Sequence, residues 1–171
     1  MYMDLSTRTF APNVLAGLVG LSQSSIPASQ LLVNLGKATR SQALERTYLD
    51  YPNEGLCVLV DGDNIIGAIF LFGAEVEGHQ AFSGTLPMLV NFGDKLPAII
   101  ANVGSPRRRM YRDLTSRPPT RDKLIYDYCG IELLFEFDAT IERLCLVVLQ
   151  KPFEYTLGSM AVSKNDPPST K

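Results

Sequence analysis

The chain has 171 residues, 46% of them apolar and 20% charged, so it can bury a core and does not read as disordered. Its formal net charge of −2 excludes a general attraction to nucleic acid or to a membrane surface. Three cysteines, Cys57, Cys129 and Cys145, form no Cys-x-x-Cys pair, which argues against a disulfide framework or a zinc site and favours buried, reduced thiols.

The first 25 residues, "MYMDLSTRTFAPNVLAGLVGLSQSS", show neither the basic start nor the long apolar stretch of a signal peptide. No apolar run approaches the ~20 residues of a membrane helix. The expectation is a soluble, cytoplasmic protein. A first short helix is predicted over 11–22, with Pro12 near its start. A second covers 26–35, with Pro27 in its first turn and Gly36 as the left-handed residue that stops it. After a connector, Tyr51 to Asp61 reads as a strand, "GDN" (62–64) as a tight turn and Ile65 to Phe72 as the returning strand. Gly78-His79 reads as a solvated turn, "AFSGTLP" (81–87) as a further strand, and 85–92 and 96–103 as two consecutive helices, the second stopped by Gly104. A long basic connector follows. Tyr128 to Asp138, a turn at Ala139-Thr140 and the strand 141–149 then form a second hairpin.

The two hairpins invite comparison. "LDYPNEGLCVLVD" and "YDYCGIELLFEFD" both carry Asp-Tyr, a glycine and an apolar run closing on Asp, and both anchors recur 77 positions later. Upstream, "IPASQLLVNLGK" matches "LPAIIANVGS". The reading is an α+β fold of two tandem units, each a helix-loop-helix followed by an antiparallel β-hairpin or meander, with the helices packed on one face of a sheet. The units span residues 1–78 and 79–155, and 156–171 read as a flexible tail.

Charge is divided unevenly. Between Ser41 and Asp94 stand eight acids and one base, Arg46; between Ser105 and Lys123 stand seven bases and two acids. The "SPRRRMYRD" cluster is the sharpest candidate site. Arg107, Arg108, Arg109, Tyr111 and Arg112 could contact an acidic protein surface, pair with acids of the first half, or meet phosphates. Asp50, Glu54, Glu75 and Glu77 form the opposite candidate, an acidic face for a basic partner. His79, the single histidine, lacks a catalytic or metal-ligand companion at recognisable spacing. "DGDN" (61–64) lacks the later ligands of a calcium loop, and no glycine pattern matches a phosphate loop. No enzyme, cofactor or metal is expected, nor a small-molecule substrate.

The segments "NLGKAT" with "YLDYPNEGLCVLVDGDNI", and "NVGSPRRR" with "YDYCGIELLFEFDATI", are similar to the architecture of β-lactamase-inhibitor proteins and of the SmpA/OmlA-type assembly lipoproteins. In that pattern a glycine-stopped helix precedes a Tyr-rich strand. The resemblance covers most of residues 11–149 and implies a rigid, concave protein-binding scaffold. The chain also resembles bacterial immunity proteins of similar size. The expected function is therefore that of a non-enzymatic module that neutralises a cognate toxin by occluding it. A structural or assembly component that self-associates, and a small nucleic-acid binder using the Arg107–Arg112 loop, are the alternatives.

Overall fold

Eight segments of the chain build one antiparallel sheet. The computed structural model describes residues 10–112, 115 and 121–152. The strands are β1 (Thr39–Ala43), β2 (Arg46–Tyr51), β3 (Leu56–Val60), β4 (Ile66–Phe72), β5 (Arg108–Met110), β6 (Lys123–Tyr128), β7 (Ile131–Phe137) and β8 (Leu144–Gln150). Their order is β1-β2-β3-β4-β8-β7-β6-β5, so β1–β4 and β5–β8 each form a meander and the meanders meet where β4 pairs with β8. Side chains alternate between the two faces of the sheet, because successive residues of a strand point to opposite sides.

On one face lie three helices, α1 (Pro12–Leu18), α2 (Ile26–Leu35) and α3 (Leu96–Val103). Each starts with a proline in its first turn, where the missing N–H costs nothing. α2 buries Ala28, Leu31 and Leu35, one stripe at helical spacing, and Gly36 and Gly104 end α2 and α3 with positive φ. These stripes close the main core over Leu56, Ile69, Leu133, Phe135 and Leu149, all fully buried. The hydroxyl of Tyr126 donates to the Gly104 carbonyl at 3.0 Å and ties the end of α3 to β6.

The expected tandem helix-loop-helix architecture is overturned. The molecule is one mostly-β, eight-stranded antiparallel sheet with three helices, not two helix-loop-helix units packed on a sheet. The predicted helix over 85–92 is a single 3-10 turn at Pro87–Leu89. Met88 and Leu89 there have positive φ, a backbone no helix continues through. No strand forms over 81–87. The expected connectors hold two strands each: β1 and β5 are short and polar or basic, without alternation, while β2 buries Leu49 and Tyr51 and β6 buries Leu124, Ile125 and Tyr126. Each expected boundary anchor has a local role. Tyr51 and Tyr128 close β2 and β6, and Asp61 and Asp138 follow β3 and β7. The boundary expected at 78/79 falls in the loop leading from β4 towards α3, and β4 pairs with β8 across it. The tail expected over 156–171 lies outside the described residues.

Residues 73–82 fold back against the β2–β3 corner, and one glycine makes room for them. A Cβ on Gly55 would stand 2.4 Å from the carbonyl oxygen of Gln80 and 2.4 Å from the amide of Phe82, and its φ is +63°. The amide of Gln80 donates to the Pro52 carbonyl at 2.9 Å, and that of Phe82 to the Phe72 carbonyl at 2.9 Å. This close approach carries His79 over the other face of the sheet.

Candidate interaction surface

The second face of the sheet bears none of the helices. Its apolar cluster comprises Cys57, Ala68, Phe72, Ile125, Leu134, Cys145, Leu146 and Val148. Strand register lines up one row of it across the molecule: Asp50, Cys57, Phe70, Val148, Leu134, Ile125 and Arg108 are successive cross-strand neighbours. Inside Thr39 of the edge strand, which pairs with Asp50, the row runs from a carboxylate across an apolar centre to a guanidinium. Two β-bulges, opposite Leu59/Val60 and Glu136/Phe137, leave Gly67 and Cys145 as extra residues out of register and bend β4 and β8 against their partners.

At the acidic end a cavity of about 250 Å³ is lined by Tyr48, Asp50, Cys57, Phe70, Phe72, Glu77 and His79, with Ser41 of β1 at its edge. His79 is buried, with 6% of its surface exposed. This corrects its reading as a solvated turn. Its ring lies on Phe72, with centroids 3.7 Å apart and an 8° interplanar angle. Nε2 meets the Asp50 carboxylate at 2.6 Å, and Nδ1–H donates to the Val76 carbonyl at 3.2 Å. Both ring nitrogens are taken up by these two oxygens rather than by Cys57. Burial, then the nearby carboxylates of Asp50 and Glu77, push the Cys57 thiol up to about 12, so it is held as a thiol. Cysteine, histidine and aspartate therefore converge here without the geometry of a nucleophile and its base. Among the described residues no group of three or more His, Cys, Asp or Glu side chains could hold a metal ion.

Of the acidic candidates, Asp50 and Glu77 are brought together in this cavity. Glu54 sits in the 3-10 turn after β2 and Glu75 in the loop after β4; both are exposed and neither lines the cavity.

The basic candidates lie at the opposite end, and several are already engaged by acids of their own half. Arg107 bonds Asp127 at 3.0 Å and also contacts Glu132. Register sets Asp127 directly opposite Glu132, a repulsive pair that the guanidinium between them neutralises. Glu132 is 1% exposed and also accepts from Gln150 Nε2 at 3.1 Å. Arg112 donates to the Ala139 carbonyl and to Glu142, each at 2.8 Å, and lies 3.8 Å from Asp122. Lys123 pairs with its register partner Glu136 at 2.7 Å. Pairing of these arginines with acids of the first half, one reading of their charge, is not what holds them. Arg109 instead stacks over the exposed ring of Tyr111, 4.6 Å from its centroid, and that pair faces solvent.

Sequence reasoning missed His79 and Cys57 as members of the site. Asp50 and His79 are 29 positions apart, and the fold-back that joins them depends on Gly55. A lone histidine in "EVEGHQ" carries no local sign of that contact.

No family model matches the chain, and no curated protein matches it. Among solved structures, the fold is similar to an extracellular protein containing an SCP domain from Bacillus anthracis, with a TM-score of 0.55 at 10% identity, covering 89% of this chain and 50% of that one. It is also similar to a DUF4309 family protein (YjgB) from Bacillus subtilis, with a TM-score of 0.49 at 15% identity, covering 82% of this chain and 97% of that one. A cysteine-rich secretory protein (SAV1118) from Staphylococcus aureus gives a TM-score of 0.49 at 12% identity, covering 80% of this chain and 45% of that one. The chain spans half the length of the first of these, and the likeness is one of fold alone.

Proposed function

We propose that the chain is a non-enzymatic protein-binding module that grips a basic partner on the helix-free face of its sheet, as an immunity or inhibitor protein occludes a toxin. The observation that carries this reading is the cavity at the acidic end. Its walls are the aromatic rings of Tyr48, Phe70 and Phe72, and its charges are the carboxylates of Asp50 and Glu77. An aromatic wall beside a carboxylate suits the flat, weakly hydrated guanidinium of an arginine, or a lysine ammonium, from a partner. The engaged nitrogens of His79 and the high pKa of Cys57 support binding rather than catalysis.

The test uses butylguanidinium as a probe of the cavity. NMR shift changes centred on Tyr48, Phe70 and His79, lost in Glu77→Lys, are the expected outcome. Shift changes scattered over the surface, or unchanged by Glu77→Lys, count against the reading. Glu77 is exposed, so its reversal leaves the core intact.

A further inference from the structure

We infer that β1 is a self-pairing edge and that two copies of this chain join their sheets through it, antiparallel, about a two-fold axis at Ser41. β1 stands at the end of the sheet order and, among the described strands, pairs with β2 alone. All five of its residues are exposed. Among the described residues its outer backbone groups are an open row of donors and acceptors, and of the devices that protect an edge it carries one charge, Arg40, with no proline, bulge or lysine.

The sequence of β1 is complementary to itself. Antiparallel pairing about Ser41 sets Thr39 opposite Ala43 and Arg40 opposite Gln42, so no like charges meet. Just beyond the strand it brings Lys37 of one copy alongside the Leu44–Glu45 turn of the other, a base near an acid. The other edge behaves differently. β5 is three residues, Arg108–Met110, and pairing it with itself would set Arg109 against Arg109. One edge is therefore blocked by charge while the other is open.

The β1–β2 turn gives a second, independent observation. Leu44 and Glu45 both have positive φ (49° and 61°), in a tight turn where asparagine and glycine are the easy residues. Leu44 is 93% exposed. A leucine that is both backbone-strained and solvated marks a position shaped by something other than the isolated fold. In the paired sheet it lies against the 37–38 segment of the second copy and loses that exposure.

Pairing through a single five-residue edge strand makes a concentration-dependent dimer rather than an obligate one. Ser41 also edges the acidic cavity, so the dimer sets two cavities beside the axis on one continuous sheet. Two linked sites raise the avidity for a partner with repeated basic groups.

The test is sedimentation equilibrium on the full chain, with three variants. Wild type is expected to show a reversible dimer. Gln42→Arg sets the introduced guanidinium against Arg40 of the other copy at two symmetry-related positions and weakens the dimer on the order of tenfold. Adding Arg40→Glu to Gln42→Arg restores opposite charges and recovers it. Ser41→Cys in a Cys129→Ser background cross-links on oxidation, because opposed Cα atoms in an antiparallel pair lie about 4.5–5.5 Å apart, within disulfide reach. A wild type that stays monomeric at every concentration overturns the inference. So does a dimer indifferent to Gln42→Arg, or a Ser41→Cys chain that does not cross-link. Gln42→Arg and Arg40→Glu lie outside the cavity lining, so the probe assay at the cavity is read separately from the dimer on those variants.

Discussion

The imidazole of His79 lies flat on the ring of Phe72 and bonds the carboxylate of Asp50, joining the loop after β4 to β2 over the helix-free face. The contact buries a polar ring by satisfying both its nitrogens, the condition under which such burial is tolerated. His79→Ala removes the bond and the stacking together and is expected to cost about 2–3 kcal/mol in urea unfolding. His79→Phe keeps the stacking but leaves Asp50 without its ring partner, so it recovers part of that loss. If both substitutions leave stability unchanged, the clamp is not structural.

Arg107 separates two carboxylates that strand register brings face to face. Arg107→Ala leaves the buried Glu132 with less compensation and is expected to cost about 1–3 kcal/mol. This is below the figure for a fully buried pair because Arg107 is 45% exposed. Glu132→Gln removes the negative charge and, combined with Arg107→Ala, offsets most of that cost. A double-mutant cycle in chemical denaturation measures the coupling. Additive effects would show that the guanidinium does not serve the carboxylate.

Asp138 caps the β7–β8 turn. Its Oδ1 accepts from the Thr140 hydroxyl at 2.5 Å and from the amides of Thr140 and Ile141 at 2.8 and 3.0 Å. The Thr140 hydroxyl first, then these amides, hold its carboxyl below the ordinary 3.8. A carboxylate with a depressed folded-state pKa contributes stability that is present above the ordinary value and is lost as the pH falls through the folded-state value. Asp138→Asn is therefore expected to lower stability at neutral pH and to flatten the acid limb of the stability curve below about pH 4. Equal acid limbs for variant and wild type would remove Asp138 from the account. Asp61 is lowered too: burial raises its pKa, but the Ile65 amide and Lys151 outweigh that, so it adds to the same limb.

The thiols should separate by reactivity. Cys57 and Cys145 are buried, with pKa values raised to about 12 and about 11, chiefly by burial, whereas Cys129 is exposed. At neutral pH one thiol should react rapidly with a maleimide, and peptide mapping should place the label at Cys129. Raised thiol pKa values favour the folded state below the ordinary 9.0 and cease to do so as the pH rises towards 11–12, so stability should fall through that alkaline window. Rapid labelling of Cys57 in the native chain would contradict its burial.

How far the sequence exposed the fold can be traced residue by residue. Strand pairs with dense apolar content, Leu56–Val60 with Ile66–Phe72 and Ile131–Phe137 with Leu144–Gln150, are legible because periodicity and turn residues agree. The prolines and Gly36 and Gly104 mark α2 and α3 for the same reason. β1 and β5 are not legible: "TRSQA" and "RRM" carry no apolar alternation, since an edge strand buries little and its pairing comes from the backbone. Thr85 to Phe92 misleads because Pro, Leu and Val in that order mimic a helix start, while the tertiary packing of Leu86 and Val90 selects a kinked 3-10 turn. For the candidate site, the charge asymmetry and the residues Asp50 and Glu77 were visible. Their union with His79, Tyr48 and Phe70 was not, because cross-strand register and the fold-back at Gly55 create it. Likewise the arginine run was visible, but not its capture by Asp127, Glu132 and Glu142, since strand register places the first two and the β7–β8 turn the third.

Affinity capture from the source cells, run in parallel with the wild-type chain and a Tyr48→Ala/Glu77→Lys variant and quantified by mass spectrometry, tests the helix-free face most directly. A basic protein is expected to be retained by the wild type and lost by the variant, while both chains unfold at the same denaturant concentration. Identical captured proteins for the two chains would contradict it.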